Sequence, residues 1–212
     1  MNVKHELQNI ISGVGEYAEK DLIKATANYL RQSQKTSGAP QKSELTKEQE
    51  AKELITWIDR HNFWFNEHDE SRFIARGAEQ KVYLHYDERY VYKLNDSVFY
   101  QYWLDYFYSL LVHNYFFSAT SYELIGFLSE EGVLHAVVKQ PFIEITEETN
   151  IDTIRNFLSE NGFKLKKNND YFNPSLSLIL EDLHDENVLT NNGVLFFIDT
   201  VFYLEKTFFS KK

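Results

Sequence analysis

Three oxygen-bearing side chains stand near one another late in the chain. Asp182 and Asn187 are spaced D-x-x-x-x-N in Glu181-Asp182-Leu183-His184-Asp185-Glu186-Asn187, and Asp199 follows twelve residues later, after the apolar run Leu195-Phe196-Phe197-Ile198. Hard oxygen donors of this kind suit magnesium. Phosphoryl transfer asks for such a set, because charge builds on phosphate oxygens, a metal neutralises it, and a carboxylate takes the proton of the attacking hydroxyl. In that chemistry Asp182 is the catalytic base and Asn187 and Asp199 are the metal ligands. The D-x-x-x-x-N spacing is a weak signal by itself, and its place between two apolar strand-like runs strengthens it. A zinc site is a poor fit to His184, Asp185 and Glu186, since no second histidine stands at ligand spacing and the chain has no cysteine.

Three upstream segments stand at the positions where a kinase-like order of strands keeps its nucleotide-binding parts. Lys93 lies in Val91-Tyr92-Lys93-Leu94. In a strand it points to the face opposite Tyr92 and Leu94 and can meet phosphates. The turn Gly77-Ala78-Glu79 offers backbone N–H groups to phosphates, although it carries one glycine and does not match G-x-G-x-x-G. Gln140-Pro141-Phe142-Ile143 is the candidate adenine-binding segment; Pro141 has no N–H, so the amides of Phe142 and Ile143 are the expected donors. No glutamate lies between Asn95 and Tyr122, so Asp105 is the acid chosen to face Lys93.

The elements that must hold these residues follow from periodicity. Residues 1–66 read as a helical extension: Leu22, Ile23, Ala27 and Leu30 recur at helical spacing, and Thr46 with Gln49 fits a capping box before a helix carrying Ala51, Leu54, Ile55 and Ile58. From Phe73 the pattern shortens to strands. Phe73–Arg76, Gln80–Tyr86 and Tyr90–Leu94 form an antiparallel meander, an aromatic helix capped by Asp96 or Ser97 runs to about His113, and Tyr122–Leu128 pairs with Val133–Gln140 across Ser129-Glu130-Glu131-Gly132. Ile151–Asn161 reads as a helix stopped by Gly162, and Leu176–Leu180, Asn187–Thr190 and Leu195–Ile198 as strand-like runs. This order predicts an α+β chain of minimal protein-kinase-like fold. It has a five-stranded antiparallel small lobe with one helix over residues 67–143, then a truncated large lobe over 144–212.

The segments Gly77-Ala78-Glu79-Gln80-Lys81-Val82-Tyr83, Tyr92-Lys93-Leu94-Asn95-Asp96, Leu104-Asp105-Tyr106-Phe107, Glu181 through Leu189 and Phe197-Ile198-Asp199-Thr200 resemble the serine/threonine/tyrosine kinase domain of bacterial polyvalent proteins, the large multidomain proteins of phages and conjugative elements. The resemblance covers about residues 50–205. More distantly, Asp182-Leu183-His184-x-x-Asn187 is similar to aminoglycoside phosphotransferases and choline kinases, and the Gly-Ala-Glu turn to RIO-type and tRNA-modification-complex kinases. It implies an ATP- and magnesium-dependent phosphotransferase with Asp182 as base, Lys93 as phosphate anchor, and Asn187 and Asp199 on the metal. The acceptor, a small molecule or a protein, is not named by it. The chain departs from the pattern at Leu180, where kinases usually carry His or a related polar residue, and at Thr200-Val201, which replace Phe-Gly. Thirteen residues follow Asp199, too few for an activation segment. The alternative is a pseudokinase, a nucleotide-binding or protein-interaction module without transfer.

Composition narrows the remaining classes. The 212 residues carry a net charge of −10, with 17 Phe and 14 Tyr against 8 Gly and 3 Pro, so the chain can bury a core and is neither collagenous nor wholly disordered. The acidic balance argues against nonspecific nucleic-acid binding. No stretch reaches the roughly 18 apolar residues of a membrane span, and no secretory signal opens the chain, so a cytoplasmic protein without a membrane partner is expected. The apolar strands around the Asp182 loop need a cover, which the helical arm, a neighbouring domain or a second copy in a homodimer would supply.

Overall fold

The structure, a computed structural model, describes residues 2–13, 21–36, 45–67, 69–77 and 80–210. It is α+β, with five α-helices and antiparallel sheets among the described residues. The chain divides into two compact units, one of Met1–Gly15, Tyr108–Ser121 and Ile143–Lys212, the other of Glu16–Phe107 and Tyr122–Phe142. Among the described residues no helix is long and apolar enough to cross a membrane.

The unit that holds Lys93 is built on a five-stranded sheet. Its strands are β1 (Phe73–Arg76), β2 (Gln80–Leu84), β3 (Tyr90–Asn95), β4 (Glu123–Glu130) and β5 (Val133–Pro141), in the order β1-β2-β3-β5-β4 with every neighbour antiparallel. The β4–β5 hairpin closes through Glu131 and Gly132, both at positive φ (50° and 81°), the geometry whose twist matches that of the flanking strands. Period-two alternation sends Tyr92 and Leu94 to one face, where Leu94 joins Phe65, Tyr83 and Val137 in an apolar cluster against which Tyr92 packs.

Two helices of the arm belong to the same unit: α2 (Leu22–Thr36) and α3 (Lys47–His61). The capping box is present, with Thr46 accepting from the Gln49 amide and Gln49 from the Thr46 amide, and Asn62 in the left-handed region ends α3. The buried stripe of α3 is Glu50, Leu54, Trp57 and Ile58, rotated from the expected one; Ile55 is 38% exposed. Tyr29 of α2 stacks on Trp57 at 5.3 Å. The segment after α3 then runs beside β4, the Phe65 amide donating to Phe127 O at 2.7 Å and the Phe127 amide to Phe63 O at 2.9 Å. This approach explains Gly126 (φ 154°), since a Cβ there would stand 2.8 Å from Phe63 O.

Helix α4 (Trp103–Phe116) begins in this unit. Its first turn is not capped by Asp96 or Ser97. The Asp96 carboxylate instead accepts from the Val98 amide, and the buried Glu50 carboxylate accepts from the amides of Trp103 at 2.6 Å and Leu104 at 3.4 Å. A carboxylate at a helix N-terminus satisfies orphan N–H groups and complements the positive end of the helix dipole.

The other unit contains α1 (Val3–Ser12), α5 (Ile151–Glu160), a hairpin of β9 (Val188–Asn191) and β10 (Val194–Phe197), and a four-stranded sheet. That sheet orders β11 (Val201–Leu204), β8 (Leu178–Glu181), β7 (Asp170–Asn173) and β6 (Lys164–Lys167) side by side. Of the residues expected to need a cover, Leu178, Leu180, Val188 and Phe197 are buried while Leu176 and Leu189 are half-buried; Leu7 and Ile11 of α1 are buried as well. Helix α1 is fastened to the C-terminal segment by Lys4 Nζ to Ser177 Oγ at 2.8 Å and Gln8 Nε2 to Phe208 O at 2.5 Å. The arm therefore contributes to both units, α1 to one and α2–α3 to the other.

Candidate functional site

Asn187 and Asp199 are brought side by side by a hairpin. Asn192 and Gly193, both at positive φ (48° and 76°), turn β9 into β10, and the register pairs Val188 with Phe197. Asn187 and Ile198 are the next residues outward on each side. The Asn187 carbonyl accepts from the amides of Ile198 at 3.0 Å and Asp199 at 3.3 Å, so the register that closes the hairpin also sets Asn187 beside Asp199.

The side chain of Asn187 locks the loop. Its Nδ2 donates to Asp182 O at 2.8 Å and lies 3.2 Å from His184 Nε2, while its main-chain amide donates to His184 O at 3.1 Å. With the amide nitrogen so used, Oδ1 accepts nothing among the described residues. It is the oxygen a hard cation would take.

Asp182 has φ 54°, the left-handed region that Asp tolerates better than most residues. Its amide donates to Asp170 Oδ1 at 3.2 Å, and the Leu183 amide to Asn169 O at 3.1 Å, so the β6–β7 turn holds this backbone. The Asp182 side chain is 73% exposed, with Oδ1 at 3.8 Å from His184 Nε2. Beside it, burial and then the charges of Asp170 and Asp182 push the Glu181 carboxyl above its ordinary value, and Lys166 opposes them.

Asp199 leads directly into β11, which pairs with β8, and Thr200 is buried. Where the expected pattern has Phe-Gly, Thr200 Oγ1 lies 2.7 Å from His113 Nδ1, and His113 Nε2 lies 2.9 Å from Thr120 O. A carbonyl only accepts, so Nε2 carries the proton and Nδ1 accepts from the Thr200 hydroxyl. Ser109 Oγ receives the Phe202 amide at 2.9 Å. Nothing in the spacing of His113 and Thr200, 87 residues apart, announced this relay.

In the other unit Lys93 sits on β3, the middle strand, between Val82 and Val138. It is 3% exposed, with Nζ 5.6 Å from the Tyr122 ring centroid, and is not a solvent-facing lysine. Gly77 lies in the β1–β2 turn, its amide donating to Gln80 O at 2.8 Å; Ala78 and Glu79 lie outside the described residues. Gln140 is buried on β5 opposite Val91. The Phe142 amide donates to Arg89 O at 2.8 Å, which continues the β3–β5 ladder and takes up one of the two expected adenine donors; the Ile143 amide has no partner among the described residues. Asp105 is half-buried on α4, and its charge raises the Glu50 carboxyl.

The profile of the serine/threonine/tyrosine kinase found in polyvalent proteins matches residues 47–206. The chain belongs to this family. The match spans Lys93, Asp182, Asn187 and Asp199, and it begins with α3. No curated protein and no solved structure matches the chain. Among the described residues no group of three His, Cys, Asp or Glu gathers into a metal site. A kinase domain does not need one, since magnesium in such sites draws its remaining ligands from phosphate and water.

Proposed function

We propose that this polyvalent-protein kinase domain is an ATP- and magnesium-dependent phosphotransferase. One observation supports the reading above the others: the hairpin register sets Asn187 against Asp199, and the Asn187 amide is turned so that Oδ1 is left for a cation. Magnesium bound there would neutralise charge on the transferred phosphoryl group. Asn187 Oδ1 and the Asp199 carboxylate would hold it. Asp182, exposed and carried on a backbone pinned by Asp170 and Asn187, would accept the proton of the attacking hydroxyl. Lys93 would hold phosphate oxygens, its ammonium dehydrated by burial and so a stronger electrostatic partner than a surface lysine. The turn at Gly77, with Ala78 and Glu79, would cover phosphates, and Gln140, Phe142 and Ile143 would border adenine, with the Ile143 amide as donor.

The second reading, nucleotide binding without transfer, is favoured by the single glycine of the Gly77 turn. Thermal shift and turnover separate the two. The first reading expects ATP with magnesium to raise the melting temperature and the protein to release or transfer phosphate, with the Asp182→Asn variant keeping the shift and losing the turnover. Stabilisation of the unaltered chain without turnover would select the second reading. Equal turnover in Asp182→Asn would reject the assigned base.

A further inference from the structure

The β6–β7 hairpin holds the Asp182 loop with its turn and leaves its outer strand open. Asp170 and Asn169 take the amides of Asp182 and Leu183. Strand β6 is last in the order β11-β8-β7-β6, and all four of its residues are exposed. An open strand edge is a template on which another extended chain can add. The residues on it are Lys164, Leu165, Lys166 and Lys167; none of the three ammonium groups enters an ion pair among the described residues, and Leu165 is 53% exposed. This basic strand stands out on a chain of net charge −10. Edge lysines commonly serve to block self-pairing. That is not this chain's general device, because the edge strand β1 reads Phe-Ile-Ala-Arg and leaves Phe73 and Ile74 exposed.

We propose that β6 docks an acidic, extended peptide segment of the phosphate acceptor, added to the sheet as a fifth strand. The Glu and Asp side chains of that peptide meet Lys164, Lys166 and Lys167, and an exposed apolar side chain meets Leu165. The pairing of Lys167 with Asp170, and the bond from Asp170 to the Asp182 amide, put the docking strand next to the proposed base. This substrate class rests on the phosphotransferase reading, and the docking itself does not.

The test is binding of fluorescein-labelled ten-residue peptides to the full chain without nucleotide, read by anisotropy. One peptide is extended and Glu/Asp-rich with a single serine, the second has every acid replaced by lysine, and the third is the acidic peptide with every backbone amide of its central six residues N-methylated, which removes the donors of both strand edges. The acidic peptide should bind, the basic one should not, and N-methylation should abolish binding because strand addition needs those N–H groups. Combined charge reversal, K164E/K166E/K167E, should weaken the acidic peptide about tenfold, as three exposed pairs of modest strength allow, in a chain that its melting curve shows to be folded at the assay temperature. Raising salt should weaken binding of the acidic peptide to the unaltered chain. Equal binding of acidic and basic peptides, an unaffected charge-reversal variant, or full binding of the N-methylated peptide would each overturn the proposal. Because no nucleotide is present, an inactive but peptide-binding chain would refute the phosphotransferase reading alone, and an active chain that ignores acidic peptides would refute the docking strand alone.

Discussion

Glu50 offers the sharpest stability test. Its carboxylate is fully buried on α3, accepting from the amides of Trp103 and Leu104 and from Gln34 Nε2 at 3.1 Å. Burial, reinforced by the nearby Asp105 charge, pushes its carboxyl up to about 7, although the hydrogen bonds from Trp103, Leu104 and Gln34 pull the other way. The folded state thus binds this proton more tightly than the unfolded chain does. Its stabilising share is complete below the unfolded value of about 4.5 and is lost as pH rises through about 7. At about 1.4 kcal/mol per pKa unit, the shift amounts to about 3 kcal/mol across that window. Glu50→Gln keeps an oxygen for the Trp103 amide and carries no charge, and the Gln34 amide can turn to complement it. Urea unfolding at pH 5, 6, 7 and 8 should therefore find the variant close to the unaltered protein at pH 5 and more stable by up to about 3 kcal/mol at pH 8. Glu50→Ala should be less stable by about 2–4 kcal/mol at pH 5, because it leaves two helix N–H groups buried without acceptors, and this deficit should shrink by about 3 kcal/mol toward pH 8 as the unaltered chain loses its own share. Parallel pH profiles for Glu50→Gln and the unaltered chain would refute the reasoning.

Other perturbations follow from single contacts. His113→Ala should cost about 3 kcal/mol in urea unfolding, because it strands the buried Thr200 hydroxyl and the Thr120 carbonyl. Gly126→Ala should lower the melting temperature far more than Gly132→Ala: a Cβ at the first meets Phe63 O at 2.8 Å, whereas at the second it meets nothing within 4 Å and carries only the left-handed penalty of about 1 kcal/mol. Lys93→Met should remove the ATP-induced thermal shift, read against the variant's own melting temperature without nucleotide, since it deletes the buried ammonium proposed to hold phosphate oxygens.

Local chemistry made the Lys93 sheet legible. Alternation in Tyr90–Leu94, the positive-φ turn at Glu131-Gly132 and the Thr46–Gln49 box each act within a few residues, and all are present. The β9–β10 hairpin that follows the Asp182 loop was legible for the same reason, two strand-like runs separated by the polar turn at Asn192-Gly193. What was hidden depends on distance along the chain. Strand β6 has no apolar alternation, since Lys-Leu-Lys-Lys becomes a strand only by pairing with β7 at a sheet edge. The cap of α4 comes from a residue 53 positions away, and a glutamate in the middle of an amphipathic helix reads as solvent-facing until the N–H groups it serves are known. The anchoring of Thr200 by His113 is equally remote, and the Phe142 amide is taken because the β3–β5 register runs one residue further than its apolar residues indicate.

The central claim, magnesium-dependent phosphoryl transfer with Asp199 on the metal, is tested most directly by following the γ-phosphate of labelled ATP with the full chain and its Asp199→Asn variant, each with magnesium and with chelator. Magnesium-dependent loss of the γ-phosphate from ATP is expected, to water, an added hydroxyl acceptor or the protein itself. That loss should be abolished by chelator and by Asp199→Asn, while the variant's melting temperature without nucleotide stays unchanged. Turnover that survives the substitution, or none from the unaltered chain with magnesium present, would contradict it.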